Sequence, residues 1–272
     1  MRGWQALGRH GRLVLLLGVA MALAGCPSTP GRGRTTLVVR GGPLLRDVFP
    51  KVVSEFEAQH PEIRLRSDFS CPPCVLTGRM GEGIEMDVFI SAGDVERDLL
   101  AQGGLLDPST TEAIGSAKLV VAVPPDNPAN VRALGDLHRP EVKRIAVGDP
   151  ERTSPGRYTR QAFERMGLWD EVKDKLVISK TGCEALKSVM LGQAEAALVY
   201  DFCLHGQADE PHLVQEVPDD LHDPITVGVT AAPGRSGPAL DAFFQFMQSP
   251  VAQAALRRAG IGPPHAPAEE AK

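Results

Sequence analysis

Cysteine is the residue type with the most chemical potential in this 272-residue chain, which has five of them. Two lie in the run Cys71-Pro72-Pro73-Cys74, Cys183 lies in Thr181-Gly182-Cys183-Glu184, and Cys203 closes Tyr200-Asp201-Phe202-Cys203. Cys26 stands apart near the start of the chain. Thiolates bind Cu(I), Zn(II) and similar soft ions, and four sulfurs suit a tetrahedral centre. Trivalent arsenic or another thiophilic species fits the same donors. His205 is two positions beyond Cys203 and is an alternative ligand by type, although a histidine in a loop is ordinarily just solvated. The same count also reads as two disulfides, with Cys71–Cys74 and Cys183–Cys203 the simplest pairing. Such bonds typically contribute about 2–4 kcal/mol, but a domain of this length rarely needs them. A third reading takes Cys71 and Cys74 as a redox dithiol, without the fold pattern that surrounds such a motif in thioredoxin-like domains. The residues alone leave all three open.

The N-terminus reads as an address. Arg2, Arg9 and Arg12 precede the apolar run Leu13–Leu23, which is too short for a stable membrane anchor. Leu23-Ala24-Gly25-Cys26 resembles the lipobox of bacterial lipoproteins, which implies cleavage before Cys26 and lipid on its thiol. Residues 1–25 are therefore expected to be a signal peptide and residues 26–35 a flexible tether. Such a protein works outside the cytoplasmic membrane, in the periplasm or at the cell surface, where thiols tend to oxidise.

Behind these residues, strands alternate with helices. Thr36–Arg40, Ile63–Arg66 and Asp87–Ser91 read as strands, and Leu44–Gln59, Val75–Gly81 and Asp94–Gln102 as helices. The pattern restarts with strands at Lys118–Val123, Arg144–Gly148, Leu176–Ile178 and Ala196–Tyr200, and helices at Tyr158–Gly167 and Glu184–Leu191. A strand at Ile225–Val229 and helices at Leu240–Met247 and Val251–Arg258 close the fold, and residues 263–272 read as a disordered tail. This order predicts an α/β protein with mostly parallel or mixed sheets flanked by helices. The hydrophobic content of 43% excludes a disordered chain, and the net charge of -5 with pI ≈ 5.8 argues against nucleic acid as a partner. No Ser-His-Asp order, phosphate loop or HExxH motif is present, so an enzyme is not expected.

Five segments resemble the periplasmic molybdate-binding protein family, the solute-binding components of ABC importers, in that family's order. They are Phe56-Glu57-Ala58-Gln59-His60-Pro61-Glu62-Ile63, Met86-Asp87-Val88-Phe89-Ile90-Ser91-Ala92, and Gly148-Asp149-Pro150 with Ser154-Pro155-Gly156-Arg157-Tyr158. Gly192–Tyr200 and Phe246–Gln253 complete the set. The resemblance spans roughly residues 36–261 and implies a periplasmic-binding-protein fold of two α/β lobes joined by two hinge strands. Lobe 1 would be residues 36–119 plus 225–262, and lobe 2 residues 120–224.

The resemblance also implies where a ligand sits, because that family holds a tetrahedral oxyanion with neutral donors, and helix N-termini suit this work. Gly41 and Gly42 stand where its first serine would be, and Ser70-Cys71-Pro72-Pro73-Cys74 where its second would be. Thr153 and Ser154 fall where the second lobe is lined, Cys183 falls at or beside an amide-donating helix start, and Tyr200 matches a strand-end tyrosine, with Asp201 following. All four cysteines beyond Cys26 would then face the ligand, two from each lobe, with no other cofactor required. Arg40 and Arg79 could flank the cleft and offset an anion's charge, and Asp87 is expected only to begin a strand. The expected protein is a monomeric receptor for a small inorganic ligand, a soft metal ion or metalloid, handing it to ABC permease subunits. The alternatives are an oxyanion receptor with structural disulfides, and a periplasmic redox protein or sensor.

Overall fold

The computed structural model describes residues 34–70, 76, 79–204 and 212–265. The expected signal segment, most of the expected tether, Cys71, Cys74, Val75, Thr77 and Gly78 of the helix expected at 75–81, His205 and residues 266–272 lie outside the described residues, as do the side chains of Leu44, Met80 and Cys183. The end of that expected helix is a 3-10 turn, Met80–Glu82.

Two five-stranded sheets organise the chain. The first has the order β2-β1-β3-β10-β4, from β1 (Thr35–Gly41), β2 (Ile63–Asp68), β3 (Val88–Ala92), β4 (Glu112–Ser116) and β10 (Thr226–Ala231). The second has the order β7-β6-β8-β5-β9, from β5 (Leu119–Val123), β6 (Ile145–Gly148), β7 (Leu176–Ser179), β8 (Ala196–Tyr200) and β9 (His212–Glu216). Each sheet repeats one plan. Three parallel strands lie in the order second, first, third, and an antiparallel strand joins the third: β10 pairs with β3, and β5 with β8. The result is a two-lobed α/β fold. The chain crosses between the sheets twice, at Ala117–Lys118 and again over Val217–Ile225, where the N–H of Ala117 donates to Ile225 O at 3.1 Å.

The core follows from the strand pattern. Val39, Val88 and Val229 in one sheet and Val121, Val147 and Leu198 in the other are fully buried. Helix α1 (Phe49–Gln59) buries Phe49, Val52 and Phe56 on one face, and α6 (Pro238–Met247) meets it with Phe243 and Phe246. The Phe56 ring lies 5.6 Å from Phe243 and 5.3 Å from Phe246, edge to face, and each buried ring contributes roughly 1.5–3 kcal/mol through burial alone. The remaining helices are α2 (Val95–Gln102), α3 (Ser154–Arg165), α4 (Trp169–Val172), α5 (Gly182–Met190) and α7 (Pro250–Arg258).

The helix expected over Leu44–Gln59 is broken: Pro43–Leu45 forms one 3-10 turn, and α1 begins only at Phe49. Pro50 is the cause. Its missing N–H and its ring are incompatible with a helix running through residue 46, but they suit a first turn. Sequence reading also missed β4, whose Glu-Ala-Ile-Gly-Ser has little strand character and is drawn in by pairing with β10 and by a bridge from Ser116 to Gly262.

Candidate functional site

In open α/β sheets, ligands bind beyond the carboxyl ends of parallel strands, where the strand order reverses. Here those points are the ends of β1 and β3 in one lobe and of β6 and β8 in the other. The chain segments leaving them are Gly41-Gly42, Gly93–Glu96, Asp149–Ser154 and Asp201–Cys203. The sequence-predicted residues of both lobes that can be described fall on these ends or, for Ser70 and Thr181-Gly182, just past β2 and β7.

In lobe 1, Gly41 is buried at the end of β1, and Gly42 leads into the 3-10 turn. The N–H and hydroxyl of Ser70 both donate to Asp68 Oδ1, at 3.0 and 2.5 Å. Asp68 Oδ2 takes Arg40 Nη1 at 2.5 Å. The Ser70 hydrogen bonds foremost, and then Arg40, hold the Asp68 carboxyl below its usual range. The Arg40 charge is thus matched within its own lobe. Arg79 pairs with Glu82 at 2.7 Å, both largely exposed.

In lobe 2, Thr153 caps α3: its hydroxyl accepts the Gly156 N–H at 3.2 Å and donates to Asp149 O at 2.9 Å. Asp201 ties the end of β8 to the crossing. Its carboxylate accepts the N–H of Phe202 at 2.9 Å and that of Lys118, between β4 and β5, at 3.3 Å.

Ser154 and Tyr200 join the lobes. The Tyr200 hydroxyl donates to Ala92 O at 2.9 Å, and burial pushes that phenol well above its ordinary pKa. Ser154 Oγ accepts the Val95 N–H at 3.0 Å. The Ser154 N–H donates to Glu96 Oε2 at 3.1 Å, and its hydroxyl bonds to the same oxygen. Asp94 accepts the Tyr158 hydroxyl at 3.0 Å and pairs with Arg157 at 3.2 Å. Gly93 makes this approach possible. Its φ of +96° suits glycine, and a Cβ there would come within 2.4 Å of Ser154 Cβ. The sequence reading missed Glu96, Asp94 and Tyr158 as junction residues. Acids in the first turn of a helix read as ordinary dipole partners, and nothing local says that α2 faces α3.

Among the described residues, the cysteine positions lie in lobe 2. Thr181 caps α5, accepting the Glu184 N–H at 3.1 Å, so Gly182 and Cys183 form that helix's first turn. The Cys203 sulfur packs on this turn: a Cβ at residue 182 would lie 2.7 Å from it. Two cysteine positions twenty residues apart in sequence therefore share one helix start. Among the described residues, no group of three or more His, Cys, Asp or Glu side chains is arranged to hold a metal, and no helix is long and apolar enough to cross a membrane.

Comparison with known proteins agrees with this architecture. The chain is 25% identical over 262 residues to YvgL of Bacillus subtilis, which carries the name of an ABC transporter substrate-binding lipoprotein, covering 93% of this chain and 98% of that one. It is 24% identical to the molybdate-binding protein ModA of Haemophilus influenzae over 221 residues, 78% of this chain and 84% of the relative. Among solved structures, a substrate-binding domain from Clostridium difficile named for a molybdenum ABC transporter superposes with a TM-score of 0.65 at 26% identity, over 85% of this chain and all of that one. The sulfate-binding protein SubI of Mycobacterium tuberculosis shares the fold, with a TM-score of 0.67 at 15% identity over 85% and 87% of the two chains. The family of bacterial extracellular solute-binding proteins matches residues 37–262, nearly the whole of the described fold, and this chain belongs to it.

Proposed function

We propose that this protein is the lipid-anchored receptor of an ABC importer, tethered through Cys26, and that its cargo is a soft metal ion such as copper or zinc, or a thiophilic metalloid, held by cysteine sulfur. The observation that carries the ligand reading is the seat of Cys203 on Gly182, one residue from Cys183. Sulfur at a helix start is stabilised as thiolate by the helix's positive end, so the donors suit such cargo. Cys71 and Cys74 would supply the other half of the shell from lobe 1. Gly41, Gly42 and Ser70 on one side, and Thr153, Ser154, Tyr200 and Asp201 on the other, would frame the ion. The hydroxyls of Ser70, Thr153, Ser154 and Tyr200 are engaged by protein partners, which leaves sulfur as the donor with the strongest claim.

The test is anaerobic purification of the processed protein, with metal measured by mass spectrometry and thiols counted by alkylation. One equivalent of soft metal, lost in Cys203→Ser and in Cys71→Ser, is the expected result. Two disulfides and no thiol-bound ion would overturn it. That outcome would favour a molybdate-type oxyanion, the second reading, which the names of the relatives and the two capped helix starts of lobe 2 support. Titration with molybdate would then show binding. Turnover of a test disulfide would instead mark a thiol redox protein.

A further inference from the structure

Helices α2 of lobe 1 and α3 of lobe 2 meet start to start. Each helix N-terminus carries about half a positive charge, so two facing starts repel unless negative charge or strong acceptors lie between them. Glu96 fills that gap. It is the second residue of α2 and only 8% exposed. Its Oε2 takes both the N–H and the hydroxyl of Ser154, the first residue of α3. Ser154 Oγ in turn accepts the N–H of Val95. Each helix start thus satisfies a polar group of the other.

Burial disfavours a charge on this carboxyl, and it outweighs the two helix starts and their donors, which favour one. Desolvation foremost, with the neighbouring Asp94 carboxylate adding a little to it, raises Glu96 above the ordinary carboxylate range against the opposing pull of the Ser154 bonds and of its own backbone N–H. From α3, Tyr158 donates to Asp94, and Arg157 pairs with Asp94 rather than with Glu96. From β8, Tyr200 spends its hydroxyl on Ala92 O. From the second crossing, the His222 ring lies against Tyr158, tilted by 49° with centroids 5.7 Å apart. No cation among these contacts is hydrogen-bonded to Glu96. Parting the lobes would remove Ser154 and admit water, and the carboxylate would then ionise as it does on a surface.

We propose that Glu96 is a proton-coupled latch between the lobes: bound to Ser154 it holds the cleft shut, and shutting the cleft takes one proton from solvent onto its carboxylate. Above the ordinary carboxylate range, closure weakens as pH rises, by at most tenfold per pH unit, until the raised value of the shut form is passed. A receptor outside the cytoplasmic membrane shares the pH of its surroundings, so acid would favour the shut form and alkali the open one. This inference does not depend on which ligand is bound.

Small-angle scattering of the full chain from pH 5 to pH 8, in buffer containing a metal chelator, tests it separately from the cysteine reading. The wild type should expand as pH rises. Glu96→Gln, which keeps an acceptor for Ser154 without a titratable proton, should stay compact throughout, and Glu96→Ala should be expanded throughout. Thermal melts establish that each variant is folded, and Ser154→Ala, which removes the hydroxyl while leaving the carboxyl, serves as a second probe with a weakened latch. A wild type whose dimensions do not change with pH, or a folded Glu96→Gln that keeps the wild-type pH response, would overturn the proposal.

Discussion

The sulfur of Cys203 rests on the α-carbon of Gly182, so close that a β-carbon there would stand 2.7 Å from it. Sequence distance separates the two residues, yet the turn after β8 and the first turn of α5 interlock at this point. Gly182→Ala should therefore destabilise the protein by about 1–3 kcal/mol through overpacking, although alanine is otherwise the better helix former. In a Cys203→Ala background, most of that cost should vanish. Urea unfolding of the two single variants and the double variant reads the coupling directly.

Tyr200→Phe removes the hydroxyl that joins lobe 2 to Ala92 O. A buried acceptor that loses its donor costs about 1–3 kcal/mol. Because the bond spans the lobes, the loss should appear as faster hydrogen exchange at Gly93–Val95, with little change in the strands of either sheet. Uniform acceleration across both sheets would show a global effect instead.

Asp87 does more than begin a strand. Its Oδ2 accepts the Val38 N–H at 2.7 Å, its Oδ1 pairs with Arg235 Nε at 2.8 Å, and it is buried beside the central strands. Asp87→Ala would strand a buried N–H, with an expected loss of about 1–3 kcal/mol, whereas Arg235→Ala, removing a mostly exposed partner, should cost less. Thermal melts of the two variants rank them.

Acid should destabilise the protein partly through Asp136. The Arg132 N–H at 2.7 Å foremost, together with the Ala133 N–H at 3.1 Å, holds its carboxyl below the ordinary range against the cost of burial. A carboxyl with a lowered folded-state value contributes stability above its unfolded value and loses it as pH falls through the folded one. Asp136→Asn should therefore lower stability at neutral pH and flatten the acid limb of a denaturation profile run from pH 7 to pH 3. Glu96 acts in the opposite sense: its contribution is fullest in acid and declines as pH rises.

Much of the architecture was readable residue by residue. Period-two and continuous apolar runs located β1, β3, β5, β6 and β8, because strands buried on both faces must be apolar throughout. Helical patterns located α7 and the body of α3, but α3 begins at Ser154, four residues before the expected Tyr158, behind the cap that Thr153 supplies. The five family-like segments then implied the lobes and their crossing. By contrast, β4 could not be read locally, since its partners β10 and Gly262 lie more than a hundred residues away. Gly41, Ser154 and Tyr200 were singled out from resemblance, and their contacts are structural facts that no spacing contains.

By itself, the sequence determined the alternation of strand and helix, the cysteine inventory and the acidic balance, since these depend on local pattern and composition alone. Only the tertiary structure decided which helix starts face each other, that Glu96 rather than solvent meets Ser154, and that Cys203 seats on Gly182. Those pairings arise between segments brought together by sheet order and by the double crossing of the chain. Contact across a cleft depends on how two separately packed cores are oriented, and no short-range preference of the chain encodes that.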